Sequence, residues 1–446
     1  MMSKNMGPNG AQRMGFDDRL KMQSVDSVFS ESTDHPLRGR RLYIPRMGIE
    51  AAMTMSAAFR SIGIDAEPLP ESDDETLMLA GRFTNGEECL PQRVTLGNCL
   101  KKVLSEGFDP EKTAFIMPTS SGPCRFGQFA PLMKKIFRDM GFPGIVVFSP
   151  TSSDGYSGIS NHIIRFQRTA WRAIVVADAL RKLLLMFRPY ASDPGAAERC
   201  FRTALDCVCG ILAGSFDRGK DQMAFLQGCL EEARDRFLGL PLKEQPGTRC
   251  LVGVIGEIFL RLDPFSNQDT VRKIEALGGE AWMADISEWV WYTDSEQKRK
   301  LKERGRGIGP EAVRALIKTW IQKEDETGLL KPLEQLFRNR QEERVEDLLK
   351  HSRPYLPARM ALGEMTLNTG KAISFFRAGC DGVVDLSPFT CMNGIVTEVI
   401  YPKVSEDHDR FPLRIFYFDG VPFDIERDLE IFMDRVCEYR SRKNGT

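Results

Sequence analysis

Short apolar runs alternate with amphipathic ones from Arg41 to about residue 150; the alternation stops, then resumes at Cys250. Such alternation predicts parallel sheets flanked by helices, because parallel strands need crossover connections that helices supply. In the first block, Leu42–Pro45, Ile64–Leu69, Thr113–Met117 and Gly144–Ser149 have the length and apolar character of strands. Helical patterns cover Glu50–Ile62, a run ending at Leu104, and Phe129–Met140. In the second block, Cys250–Ile255, Gly382–Leu386 and Leu413–Asp419 are the strands, with helices over Asn267–Leu277, Thr366–Ala378 and Ile425–Tyr439 and three charged helical runs in roughly 293–351. Between the blocks, Asn161–Tyr190, Gly195–Leu212 and Asp217–Leu238 are all helical in pattern. The expected organisation is α/β: a disordered tail over 1–38, a first parallel-sheet domain over 39–155, a helical segment over 156–245 and a second parallel-sheet domain over 246–446.

Composition narrows the function classes. Apolar residues make up 42% and charged residues 28%, as in ordinary globular domains, and the net charge of −1 gives no electrostatic case for nucleic acid or a membrane surface. The longest apolar stretch, around Ala173–Leu180, is interrupted by Asp178, Arg181 and Lys182, too early for a membrane span. With no secretory signal pattern, the default expectation is cytoplasmic. The 11 cysteines include no C-x-x-C pair, so a disulfide framework, a zinc ribbon and a ferredoxin-type run are not expected. Cys200, Cys207, Cys209 and Cys229 lie within apolar helical patterns and are expected to be core residues.

Three other cysteines share a local grammar. Cys89 follows Gly86-Glu-Glu, Cys124 follows Gly122-Pro123, and Cys391 follows Pro388-Phe-Thr; each stands where a loop gives way to a helix. For Cys124 and Cys391 the loop also closes a strand. In open α/β sheets, ligands sit outside the carboxyl ends of the strands, so a cleft between the two blocks would gather all three. A helix N-terminus favours negative charge, which suits a thiolate or a thiolate bound to metal. Three thiolates without close spacing fit an iron–sulfur cluster with one open iron. Zinc on three cysteines and three partly buried free cysteines are the competing readings. A nucleophilic cysteine needs a His partner; His35 is in the tail and His408 in an acidic loop, and His162 and His351 are expected to pack at helix surfaces. Beside the cysteines, Arg125 could bind cluster sulfide or a substrate anion, and Glu257 could orient a ligand, move a proton or cap a helix. Glu87 and Glu88 would disfavour a thiolate at Cys89 unless they point away. Trp282, Trp289 and Trp291 are expected in core or interface.

Gly-Glu-Glu-Cys-Leu-Pro at 86–91, Pro-Thr-Ser-Ser-Gly-Pro-Cys-Arg-Phe-Gly-Gln at 118–128, Val-Ile-Gly-Glu-Ile at 254–258 and Pro-Phe-Thr-Cys-Met-Asn-Gly at 388–394 resemble motifs of acyl-CoA dehydratase activase-related proteins. The resemblance runs over roughly residues 40–440. It is to the C-terminal region of the large fused CoA activases, itself similar to subunits of 2-hydroxyacyl-CoA dehydratases. It implies two flavodoxin-like (Rossmann-like) units and a [4Fe-4S] cluster on Cys89, Cys124 and Cys391. It also implies an ATP-hydrolysing activase partner, with its own cluster, that supplies low-potential electrons in anaerobic metabolism, within a homo- or hetero-oligomer. The substrate would be small or an acyl-CoA. The alternative is a non-catalytic subunit that binds the activase or relays electrons. The chain carries no Gly-x-x-x-x-Gly-Lys-Ser/Thr loop, so the ATPase region of a fused activase is not expected in it. Only three cysteines match, which leaves a double-cubane cluster unsupported.

Overall fold

The computed structural model describes residues 35–120, 122, 124–151, 163–214, 216, 219–357 and 363–445; His162 and residues 1–34 of the expected tail lie outside the described residues. The first block holds β1 (Arg41–Ile44), α1 (Ile49–Arg60), β2 (Ala66–Pro68), α2 (Asp74–Gly81), α3 (Leu90–Val103), β3 (Thr113–Ile116), α4 (Phe129–Asp139) and β4 (Val146–Phe148). The helical segment holds α5 (Ile163–Phe187), α6 (Pro194–Ala213) and α7 (Gly219–Leu238). The second block begins with β5 (Cys250–Gly256), α8 (Ile258–Leu262), α9 (Thr270–Ala276), β6 (Gly279–Met283), α10 (Ser287–Glu303), α11 (Pro310–Leu330) and α12 (Val345–Ser352). It ends with α13 (Glu364–Arg377), β7 (Gly382–Pro388), α14 (Met392–Asp407), β8 (Leu413–Phe418) and α15 (Ile425–Asn444).

Two four-stranded, all-parallel sheets result, ordered β2-β1-β3-β4 and β6-β5-β7-β8. The order is the same in both. Each chain segment starts in the middle of its sheet, steps to one side, then crosses back. The crossing point lies between β1 and β3 in one unit and between β5 and β7 in the other, and crevices open there at the carboxyl ends. The strands are continuous apolar runs because both faces are covered; β3, β5, β6 and β7 are buried along their whole length. Gly256 ends β5 with φ 125°, and a Cβ there would fall 2.1 Å from the Leu386 carbonyl oxygen. Only glycine allows this approach of β5 to β7, and it delivers Glu257, whose N–H donates to that same carbonyl at 3.0 Å.

Helix α5 joins the two units. Asp178, Arg181 and Lys182, which interrupt the apolar run in sequence, are buried and paired, as are Arg172 and, just past the helix end, Arg188; Arg168 is paired but exposed. Arg168 and Arg172 hold Asp325 of α11 at 2.6 and 2.8 Å. Arg181 pairs with Asp178 on its own helix and with Glu50 of α1 at 2.8 Å. Lys182 pairs with Asp285 and Glu342, both at 2.9 Å. Arg188 pairs with Glu275 of α9 at 2.7 Å. Asp178 also accepts the backbone N–H groups of Ile286 and Ser287, where α10 begins. A buried charge without a partner is costly, so each of these residues fixes one neighbouring element.

Several expectations need correction. The tail does not extend to residue 38: residues 36–39 form a turn and Leu37 is 1% exposed within the first core. Cys207 and Cys229 are not free core cysteines but form a disulfide between α6 and α7. Cys209 is buried as expected, while Cys200 is only partly buried. Helices α2, α8 and α14 escaped the sequence pattern. Trp282 is buried against Phe375, Trp291 packs edge-on against Trp171, and Trp289 packs on Tyr292, all in core or between helices. His351 bonds Glu343 at 2.8 Å and His408 bonds the Val404 carbonyl, both local packing roles.

Burial alone would raise the Asp325 carboxyl, yet Arg168 and Arg172 hold it below the usual range. Asp325→Ala strands a guanidinium that is 1% exposed at Arg172. The expected cost is about 3–5 kcal/mol in chemical denaturation.

Candidate metal centre

Each of the three cysteines caps a helix. Cys89 precedes α3 with φ −64° and ψ 152°, Cys391 precedes α14 with φ −70° and ψ 126°, and Cys124 precedes a 3-10 turn (Arg125–Gln128) that runs into α4, with φ −67° and ψ 134°. The near-identical backbone angles turn each thiol toward the N–H groups of the turn that follows. Backbone N–H groups of Gln92, Phe126 and Gly394 lie close to the three sulfurs and favour their charged forms. Cys124 and Cys391 occupy equivalent places: each lies in the loop after the strand to which its unit's chain crosses back, β3 and β7, with glycine three residues on.

Arg125 brings the three loops together. Its Nη1 donates to the Glu87 carbonyl at 2.7 Å, two residues before Cys89. Its Nη2 donates to the carbonyl and the Oγ1 of Thr390, both at 2.9 Å, one residue before Cys391. Arg125 itself follows Cys124. One guanidinium therefore ties together the loops from both α/β units that carry the three cysteines. Both terminal nitrogens of Arg125 are thus engaged by protein. Thr390 accepts these bonds with φ 64°, a left-handed conformation that costs free energy in a β-branched residue and that the surrounding bonds must offset. Glu88 folds back, its carboxylate accepting N–H groups of Asn85 and Gly86, and so is spent on its own turn.

Behind the cysteines stands a carboxyl pair of which the sequence indicated only half. Glu257 caps α8 by accepting from the Leu260 N–H at 2.8 Å. Glu364, the first residue of α13, accepts from the Ile258 N–H and from Nδ2 of Asn393, both at 3.0 Å. It thereby links the loop after β5 to the start of α14, two residues from Cys391. Burial, and then the charge of Glu257, push the Glu364 carboxyl up to about 8; burial also raises Glu257. The two carboxyls together hold a proton at neutral pH. Asp385, 1% exposed beneath them in β7, is raised by burial to about 6 and is held by the Tyr401 hydroxyl at 2.7 Å. Arg261 favours the charged form of all three acids. Nothing local marks Glu364 in the sequence; it joins the site only through tertiary contact.

This acidic surrounding reverses the simple helix-terminus expectation. Burial pushes the Cys89 thiol up to about 12, with Glu257 adding to the effect. Burial and then Glu364 push Cys391 up to about 11, and burial raises Cys124, with Glu364 and Glu257 adding. The thiols are therefore neutral at pH 7 until a cation binds, which argues against an activated nucleophile. Cys124 is exposed and the other two are partly buried. Among the described residues, no three or more His, Cys, Asp or Glu side chains are set closely enough to hold a metal ion as they stand. The chain matches no protein-family model and no curated protein. Among the described residues no helix is long and apolar enough to cross a membrane.

Two outcomes follow from these proton affinities. In metal-free protein, alkylation of Cys124 should rise about tenfold per pH unit with no plateau below pH ~9, followed by peptide mass spectrometry. For Glu364 the folded state holds a proton up to about pH 8, whereas an unfolded glutamate loses it near ~4.3. Stability should therefore fall as pH rises through that window. Glu364→Gln should flatten this slope in denaturation curves taken at pH 5 and 8.

Proposed function

We propose that this chain is a [4Fe-4S] protein of the 2-hydroxyacyl-CoA dehydratase and reductase type, working with low-potential electrons from an ATP-hydrolysing activase. The observation that carries the reading is the Arg125 strut, which joins the Glu87 and Thr390 loops to its own and so ties together the three loops that carry the helix-capping cysteines of both units. A single zinc ion would draw its sulfurs in to bonds of ~2.3 Å, whereas a four-iron cube stands its ligands farther apart. Three separate helix caps suit the wider arrangement.

In this reading Cys89, Cys124 and Cys391 would hold the cluster through their sulfurs. When bound, the cluster supplies one-electron reducing chemistry. The residues around it have separate tasks. Backbone N–H groups of Gln92, Phe126 and Gly394 stabilise negative charge on the sulfurs. Arg125 fixes the loops. Glu257 and Glu364 hold a proton at the Glu364 carboxyl, next to where electron density would change. Exposure of Cys124 leaves one side of the site open to solvent or to a partner.

The relay alternative is favoured by a different observation. Phe389, Met392, Ile395 and Val399, beside and beyond Cys391, are 59, 39, 50 and 76% exposed. An apolar face of this kind suits contact with another protein.

Anaerobic purification with iron and acid-labile sulfide assays tests the reading. About four irons per chain are expected, and fewer than about two would sink it. Cys124→Ser should abolish the visible absorption. Arg125→Gln should lower cluster content while leaving the thermal midpoint within a few degrees, because it severs the loops and not the core. Electron donation without substrate turnover would select the relay.

A further inference from the structure

A second site lies away from the cysteines, where β8 forms the edge of the second sheet and α15 packs beside it. A cavity of about 450 Å³ opens there, a volume usual for small-molecule sites. Arg410, Arg414, Arg435 and Arg442 line it, together with Asp428 and Glu438. Two positive charges are thus in excess, and no arginine of the four reaches a carboxylate within 4 Å among the described residues.

Two of the four arginines, Arg414 and Arg442, are also held in place. The guanidinium of Arg414 lies over the Phe416 ring at 5.7 Å, and that of Arg442 over Tyr439 at 5.3 Å. Arg442 is anchored further by donating to the Asp409 carbonyl at 2.7 Å. A guanidinium lying on an aromatic face keeps its N–H edge free for a planar or tetrahedral oxyanion. The turn that carries Arg410 has two successive left-handed residues, Asp409 at φ 55° and Arg410 at φ 56°. Neither is glycine, and strain of this kind gathers at ligand-binding turns. Beside the charges, Leu413 is partly buried and Ile431 is 50% exposed, giving the cavity an apolar wall.

We propose that this cavity binds a phosphorylated small molecule, with its phosphoryl oxygens on Arg410, Arg414 and Arg435 and its organic part against Leu413 and Ile431. Several guanidiniums lining one cavity suit a diphosphate better than a single carboxylate, which one arginine would satisfy. The site stands on its own arginines and requires nothing of the cysteines.

Calorimetric titration of the full chain with inorganic pyrophosphate, ADP and adenosine tests it. Saturable one-to-one binding of pyrophosphate and ADP is expected, weakening as salt rises, and adenosine should give none at the same concentration. ADP binding more than about threefold tighter than pyrophosphate would assign the organic part a role on the apolar wall; equal affinity would place recognition on the phosphoryl groups alone. The double variant Arg414→Gln/Arg435→Gln should weaken binding at least about tenfold. Arg414→Lys/Arg435→Lys, which keeps the charge and loses the fork, should also weaken it and serves if the first variant is unstable. No saturable binding below about 1 mM, or unchanged binding in a folded double variant, would overturn the proposal.

Discussion

The arrangement of the two sheets depends on the desolvation of charge along α5. A helix this deeply placed could have been wholly apolar. Instead Arg172, Asp178, Arg181, Lys182 and Arg188 are all less than a tenth exposed. Their partners come from α1 in the first unit, from α9 and the Asp285 loop in the second, and from α11. Hydrophobic contact tolerates sliding, but a buried ion pair loses its compensation within an ångström or two. The pairs therefore set the register between units that apolar packing alone would leave loose. Lys182 extends the chain of constraints through Glu342 to Lys371 in α13, the helix whose first residue is Glu364. The scaffold of the cysteine site is thereby joined to the axis of the molecule.

At the cysteine site the same physics acts with opposite effect. The thiols and carboxyls lie in a partly desolvated place with few compensating cations, so the thiols stay protonated and the Glu257–Glu364 pair keeps a proton. Arg125 is spent on backbone carbonyls, and Arg261 is the cation that steadies the acids beneath. A place that disfavours its own negative charge when empty has a latent affinity for a positively charged core. Under the proposed reading, assembly of the loops and suppression of the thiolates belong together: the first would prepare a site and the second would keep it inert until it is filled.

Much of this was legible in the sequence, and the limits have physical causes. Strand-length apolar runs alternating with helices gave the first sheet and β5, β7 and β8 of the second, since a parallel sheet covered on both faces has such a pattern, while β6, short and carrying Glu280, escaped. The cysteine caps were legible because strand end, turn residues and helix start are local. The Arg125 strut was not, because its acceptors are carbonyls 38 and 265 positions away. Glu364 was missed for the same reason. Helix α14 escaped because it carries Pro402 and has no apolar stripe of helical period to reveal it. The charges within the run at 173–182 excluded a membrane span correctly, but their partners, and hence their role as couplers, are visible only in three dimensions. The disulfide joins positions 22 apart on neighbouring helices, a pairing that spacing does not disclose.

The shared strand order of the two sheets carries a consequence for how such a site could arise. A doubled scaffold offers equivalent corners, and Cys124 and Cys391 occupy one such matched pair, after β3 and β7. Cys89 lies outside that matched pair, beyond α2 and at the start of α3. The two halves thus contribute unequally, two thiols against one. The first half supplies the extra thiol, and the second half supplies the carboxyls of Glu257 and Glu364.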